Sequence, residues 1–317
     1  VCRPGQRRTG IYSGQTGQKI HGSLKMTDGK PLISIITPTY NRADYIGQMI
    51  SSVLSQTCGD FELIIVDDGS TDNTRDLVSG YQDKRIIYLY QENSGQSTAR
   101  NRGLEIARGD FICFLDSDNA WLPHKLEKSL EALDNNHEVD VVYGDIITID
   151  EHGKEISRKN MRRHSGYIAP LMLRDNFVSM NTTMTRRHCF DEMGGMSATR
   201  RVADDYDLWL RFSSRYRFEY IPEYLAYYRV MENQISSDKS LRFDTNEAII
   251  LDFLESYPDA VSPAQARQGL SIFYTRQARY LASAGERGKA LAAIAKAVSY
   301  TPFSLPPWKG LFRVLLP

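Results

Sequence analysis

Three acidic stretches could do chemistry: Asp67-Asp68 in IIVDDGSTDN (64–73), Asp116 and Asp118 in DSDN (116–119), and Asp204-Asp205 in RVADDYDLWLR (201–211). Neighbouring carboxylates repel, so each stretch needs a reason. In the first, Asp72 suits the cap of a following helix, which leaves Asp67 and Asp68 without a structural purpose. In the second, carboxylates two residues apart point the same way if the segment is extended. Such hard oxygen donors suit Mg2+ or Mn2+ held together with a phosphorylated ligand. The plainer alternative is a strand-end turn before a helix, with Asp118 or Asn119 near the cap. In the third, Leu208, Trp209 and Phe212 have helical spacing, so Asp204 and Asp205 stand near a helix start, where negative charge is favourable.

These residues must be positioned by regular elements. Apolar runs occur at LISIIT (32–37), FELIIV (61–66), RIIYLY (85–90), FICFL (111–115) and VDVVY (139–143). Between them Ile46, Met49, Ile50, Val53 and Leu54 make one helical stripe. Leu122, Leu126, Leu130 and Leu133 make another, with Pro123 suited to its first turn. Strand and helix in alternation predict an α/β domain whose mainly parallel sheet is covered on both faces. Ligands of such sheets bind beyond the carboxyl ends of the strands, where the strand order reverses. The segments there are PTYNR (38–42), DDGSTD (67–72) and DSDN, all polar and two of them acidic. Neither the dinucleotide-binding G-x-G-x-x-G nor a P-loop is present. A phosphorylated ligand would therefore need a divalent cation between its phosphates and the carboxylates.

Composition narrows the class. The 317 residues suit one large domain, or a domain with a subdomain. Lys+Arg and Asp+Glu are equal at 39 each, which gives no basic field for nucleic acid. Four scattered cysteines, Cys2, Cys58, Cys113 and Cys189, show no metal-ligand spacing and suggest a reduced, cytoplasmic chain. No apolar run approaches the ~18 residues that span a bilayer. Residues 1–30 are expected to lie outside the fold as a disordered or non-native leader. Their first 25 residues are basic and Gly/Gln/Ser-rich, without the apolar stretch of a secretory signal.

From about Leu32 to Ser236 the chain resembles the inverting family 2 glycosyltransferases with the GT-A fold. The resemblance rests on SIITPTYNR, VDDGSTDNT, ENSGQSTARNRGLEIARGDFICFLDSDN and ADDYDLWLR in that order. It implies a nucleotide-sugar donor and Mn2+ or Mg2+ at the departing diphosphate. The acceptor would be a glycan or lipid-linked glycan, in polysaccharide biosynthesis. Thr37, Pro38 and Tyr40 would line the base, and Asp68 would accept the N3–H of uracil or thymine, which favours UDP or dTDP. Arg100 matches a basic position close to the nucleotide. Asp116 would lie near the ribose, followed by Ser117, and Asp118 would be the direct metal ligand. Asp205 would be the catalytic base, with Asp204 where the family usually has Glu. FVSMNTTMTRRHCFDEMGGM (177–196) resembles the segment that shapes the acceptor pocket.

One departure is Met231, where the family often has a His that approaches the metal or diphosphate. A thioether is a poor ligand for these cations, so either coordination relies on Asp118, diphosphate and water or activity is weakened, with Arg229 still available for the phosphates. A sugar nucleotidyltransferase and a non-catalytic module of the same fold that binds a nucleotide sugar or glycan are the alternatives. The first should carry a Gly-rich basic loop after its first strand, and none is present. The domain is read as 31–240, followed by a helical C-terminal extension, 241–317, that includes an antiparallel helical pair. The tail TPFSLPPWKGLFRVLLP (301–317) is either packed on the main domain or in contact with a partner or the inner face of a membrane.

Overall fold

The computed structural model describes residues 30–158, 164–200, 202–231 and 239–315. The expected leader lies almost wholly outside these residues. Among them, nine strands form one sheet. They are β1 (Ile33–Thr39), β2 (Phe61–Asp67), β3 (Ile86–Tyr90), β4 (Phe111–Phe114), β5 (Ala120–Trp121), β6 (Val141–Ile149), β7 (Glu155–Arg158), β8 (Met184–Arg186) and β9 (Phe218–Arg229). Their order is β3-β2-β1-β4-β8-β6-β9-β5, with β7 on β6. The β3-β2-β1-β4 half is parallel throughout. In the other half β8 runs antiparallel to both neighbours, while β6 and β9 are parallel. The five apolar runs became β1, β2, β3, β4 and β6.

Every residue of β1 and β2 is buried, because helices cover both faces. On one face Ile33, Ile35, Leu63 and Ile65 pack under α1 (Ala43–Leu54) and join Leu126 and Leu133 of α4 (Lys125–Asn135). The helix α2 (Thr74–Ser79) follows β2, and α3 (Gln96–Ile106) follows β3. α4 begins at Lys125, so Leu122 and Pro123 belong to the turn before it and not to its first turn.

Alternate residues of the same strands, Ile36, Ile64 and Val66, face the second layer. It includes α3, α5 (Ala169–Met172), α6 (His188–Met193) and α7 (Asp204–Ser213). The C-terminal helices α8 (Lys239–Ser256), α9 (Pro263–Ser283), α10 (Arg287–Tyr300) and α11 (Leu305–Leu315) join the same apolar cluster. α9 and α10 form the expected hairpin, and a Cβ on Gly269 of α9 would lie 2.6 Å from Leu173 Cβ. The helical extension is thus fused to the sheet domain by a shared core. α11 buries Pro307, Gly310 and Val314, while Phe303 just before it and its own Leu305 and Phe312 are exposed. The tail is packed on one side and open on the other. No helix of the described residues is long and apolar enough to cross a membrane.

Strand order reverses between β2 and β4 on either side of β1. The turns after β1 and β4 therefore flank one crevice.

Candidate active site

A cleft of about 550 Å³ opens at this switch point. It is lined by the turns after β1, β2 and β4, the start of α3, the segment 176–181, the start of α7 and one face of α8. Of the anticipated residues it brings together Pro38, Tyr40, Asp68, Arg100, Asp116, Ser117, Asp118 and Asp205. Thr37 is not among them: it is fully buried within β1, with its hydroxyl toward Met49 Sδ at 3.8 Å. Thr39 lines the cleft instead, and its Oγ1 is buried without a hydrogen-bond partner among the described residues.

The first two turns are laced together. Asn41, held at φ 50°, accepts the N–H of Thr71 on its side chain at 2.8 Å. Asp72 accepts from Thr74 N–H at 3.0 Å, next to its own helix, and from Ala43 N–H of α1 at 3.0 Å. Burial would raise its carboxyl, but the Thr74 hydroxyl and these two N–H groups hold it below the usual range. Asp67 secures the turn by accepting from Ser70 N–H (2.8 Å) and Tyr88 Oη (2.6 Å).

Asp68 faces the next loop. It accepts from Gln91 Nε2 (2.7 Å), Ser94 N–H (2.8 Å) and Gly95 N–H (2.8 Å). Gly95 has φ +94°, a conformation open to glycine, and starts α3. A carboxylate offers about four acceptor sites, so Asp68 both anchors α3 and keeps roughly one direction for a ligand.

α3 delivers Arg100, which is 2% exposed. Its guanidinium donates to Asp116 Oδ1 and Asp204 Oδ2, both at 2.6 Å. Burial would lower its pKa, yet Asp204 and Asp116 outweigh burial and hold it above the usual arginine value. One buried cation therefore ties the D-x-D turn to the start of α7. Asp204 also accepts from Ser97 Oγ (3.0 Å) and from Asp205 N–H (3.0 Å), so it is an anchor.

Asp116 and Asp118 do not lie in an extended segment. Asn119 N–H closes a turn on Asp116 C=O at 3.0 Å, so the shared direction expected from strand alternation does not apply. Asn181 holds this turn, accepting Asp116 N–H (2.8 Å) and donating to Asp116 Oδ2 (2.9 Å). Asp118 faces Arg42 Nε at 3.5 Å. Burial and then Asp116 push its carboxyl up to about 6, against Arg42 and Arg229. A single carboxylate such as Asp118 is an oxygen donor that suits a hard divalent cation, with the remaining positions left to a ligand's phosphates and water.

Arg229 does not reach into the cleft. It is 2% exposed, its Nε donates to Asp118 C=O (2.9 Å) and its Nη1 to the carbonyls of Asp150 (3.0 Å) and Glu151 (2.9 Å). Arg229, read from the sequence as available for the phosphates, instead braces the D-x-D turn from behind. Met231 is half-buried, and residues 232–238 after it lie outside the described residues.

Asp205 is half-buried at the first turn of α7. It accepts Tyr206 N–H (2.8 Å) and Asn176 Nδ2 (3.0 Å). Burial first and Asp204 second push its carboxyl up to about 6, outweighing Arg100 and the two hydrogen bonds. The helix start does not by itself keep this group at an ordinary carboxylate pKa. Asp207 instead pairs with Arg211 (2.9 Å), whose guanidinium holds the carbonyls of Met193 and Gly195 in the Gly-Gly turn.

Asn176, Asn181, Arg42, Arg242 and Asn246 also shape the cleft, directly or through its carboxylates; Arg42 closes the PTYNR segment already marked at the strand ends, while Asn176, Arg242 and Asn246 carried no pattern by which a lone sequence marks them. Asn176 lies just before, and Asn181 within, the segment compared with acceptor-shaping sequences. A separate cluster, Asp140, His188 and Cys189, has ligand atoms within 4.8 Å of one another away from this cleft. Burial pushes the Cys189 thiol far up, which keeps it protonated.

A family model described as glycosyl transferase family 2 matches residues 34–207, more than half of the chain. The putative teichuronic acid biosynthesis glycosyltransferase TuaG of Bacillus subtilis (strain 168) is 36% identical over 219 residues, 68% of this chain and 85% of that protein. The crystal structure of S. aureus TarS 1-349 superposes with a TM-score of 0.63 at 21% identity, covering 85% of this chain and 81% of that one. The same fragment in complex with UDP-GlcNAc gives 0.57 at 20% identity, over 84% and 88% of the two chains. The mannosyltransferase PcManGT from Pyrobaculum calidifontis, in complex with GDP-Man and Mn2+, gives 0.57 at 20% identity, over 90% and 79%. At these identities the structural likeness is one of fold.

Proposed function

The chain belongs to glycosyl transferase family 2 and has the GT-A fold, and we propose that it moves a hexosyl group, with inversion, from a nucleoside-diphosphate donor to a hydroxyl of a glycan or lipid-linked glycan. The single observation that carries this reading is the buried Arg100 bridge, which sets the D-x-D turn and the Asp205 helix start on one cleft.

In this reading the nucleotide lies against Pro38, Thr39 and Tyr40. The remaining acceptor direction of Asp68 and the unpaired Thr39 hydroxyl favour a base that presents both N–H and C=O, as uracil and thymine do and as guanine does through N1–H and C6=O. Asp118 would hold Mn2+ or Mg2+, whose chemistry is to stabilise negative charge on the leaving diphosphate. Support comes from relatives of the same fold: TarS has been seen with UDP-GlcNAc, and PcManGT with GDP-Man and Mn2+.

Asp205 is the general base. The acceptor O–H bond breaks as its oxygen bonds the anomeric carbon, the proton passes to Asp205, and the sugar–phosphate bond breaks on the opposite face. A base is most effective with a pKa near the working pH, and a carboxyl raised to about 6 is nearer to it than an exposed aspartate. Asn176 orients that carboxylate, while Arg100 and Ser97 hold Asp204 in place beside it. The two departures, Asp204 for Glu and Met231 for His, leave base and D-x-D intact, which favours turnover over a binding-only role. We place the enzyme in the cytoplasm. The exposed apolar side chains of α11, with Lys309 and Arg313 on the same helix, would rest on the membrane's inner face. A role in polysaccharide assembly agrees with the teichuronic acid biosynthesis assigned to TuaG.

A panel of UDP-, dTDP- and GDP-sugars with and without Mn2+, read by thermal shift and by release of nucleoside diphosphate, tests the reading. Stabilisation and release that need the cation support it. Protection by no nucleotide sugar would sink it.

A further inference from the structure

We propose that α8 carries an acceptor subsite in which Arg242 takes an anionic group, a phosphate or carboxylate borne by the acceptor near the hydroxyl that attacks, and Asn246 Oδ1 accepts from a hydroxyl of the same acceptor. This rests on the glycosyl-transfer reading of the same cleft. The two residues are four apart on one helix, so they share a face, and both line the cleft that holds Asp205 and Asp118. The other cations of the cleft are committed: Arg100 bridges Asp116 and Asp204, and Arg42 faces Asp118 at 3.5 Å. Arg242 is exposed and has no carboxylate partner among the described residues. Asn246 adds a second signal. Its Oδ1 is buried and accepts no hydrogen bond among the described residues. A buried acceptor without a donor is uncommon and suits a hydroxyl brought in by a ligand.

A guanidinium binds phosphate or carboxylate through paired N–H groups. In this cleft such a group could come from the donor diphosphate or from the acceptor. Position favours the acceptor. α8 packs on α7, the helix whose first turn holds Asp205, and Asp252 of α8 pairs with Arg200 just before that helix. The donor-side groups come from the turns after β1, β2 and β4 instead. A charge on α8 would thus draw an anionic acceptor toward the base side, where its hydroxyl must lose a proton.

The test fills the donor side first. Glycerol 3-phosphate, glycerate and neutral glycerol are each titrated into the full chain saturated with UDP and Mg2+. At least one of the two anions should bind, and glycerol should not. Arg242→Gln should weaken that anion about tenfold or more, as expected for a lost charge-assisted hydrogen bond, and Arg242→Lys should lose less. UDP affinity should stay unchanged in both variants, which also reports that they fold. The proposal is overturned if neither anion binds the wild type, if Arg242→Gln binds the anion as well as wild type does, or if that variant loses UDP affinity in parallel. The last result would assign Arg242 to the donor diphosphate. Failure of UDP itself to bind the wild type would instead remove the underlying glycosyl-transfer reading.

Discussion

The proposed donor rim and the proposed acceptor side of the cleft are built differently. On the rim, the turns after β1, β2 and β4 hold one another: Asn41, Asp67, Asp68, Asp72 and Asn181 each accept or donate across a turn before any ligand arrives, although the Thr39 hydroxyl is left buried without a partner among the described residues. The acceptor side is less complete. Asn246 keeps an unpaired buried oxygen, and Arg242 stands without a carboxylate partner among the described residues. A preformed rim suits a ligand whose nucleotide part is constant. A wall with uncommitted groups suits recognition that waits for its substrate.

Arg100 joins the two sides, and its removal should have the largest effect. Arg100→Gln leaves Asp116 and Asp204 without their buried cation. Breaking such a pair costs about 3–5 kcal/mol, so chemical denaturation should show a loss of that order together with loss of turnover. Stability close to wild type would mean that rim and acceptor side stand independently.

Asp205→Asn comes next and should separate chemistry from binding. It keeps the size of the side chain and should lower kcat by at least ~10²-fold, with cation-dependent UDP affinity nearly unchanged. Asp204→Asn and Asp207→Asn should cost less turnover. If either of these abolishes transfer while Asp205→Asn retains it, the base is the wrong carboxylate.

Asp118→Ala should act on the rim alone. UDP affinity in the presence of Mn2+ should fall by at least the ~10-fold seen when groups supporting a metal ligand are lost. Equal protection of variant and wild type by UDP with Mn2+ would end the metal assignment.

The pH dependence of stability sharpens the contrast on the acceptor side. Asp205's folded pKa, about 6, lies above its ordinary 3.8. Its contribution to stability is therefore fully present below about 4 and is lost as pH rises through about 6. Asp205→Asn escapes that cost, so thermal unfolding should show it more stable than wild type at pH 8 and little different at pH 4. A variant less stable at pH 8 would contradict burial as the cause of the raised pKa.

The smallest effect on the cleft is expected from removing residues 302–317. UDP binding should survive with at most a modest fall in melting temperature, since α11 buries only Pro307, Gly310 and Val314. Vesicle flotation should show the larger loss. Unfolding of the whole chain on this truncation would mean that the share of the common core contributed by α11 is required for folding.

Much of the sheet was legible because alternation and apolar runs are local signals. β1, β2, β3, β4 and β6 fell where those runs lie. β5, β7 and β8 have four residues or fewer and carry no such run. β9 contains Pro222 and a mixed pattern, so it reads as a strand only once β6 lies beside it. α3 escaped helical periodicity because its buried face is Ser97, Ala99, Arg100 and Gly103. Gly103 is needed there, since a Cβ would come within 2.4 Å of Ile36 Cγ2.

By itself the sequence determined the parallel half of the sheet, the rim on which the acidic turns sit, and the chemical type of each candidate group. Those depend on residue identity and short spacing, which the chain carries locally. Only the tertiary structure decided what each group does with its charge. It turned Thr37 inward, spent Arg229 on backbone carbonyls, bent the D-x-D into a turn and raised Asp118 and Asp205 to about 6. It also brought Arg100 to Asp204, 104 residues away. Burial and charge pairing are set by neighbours in space, and those neighbours exist only after the sheet has ordered its strands and α7 and α8 have packed against it.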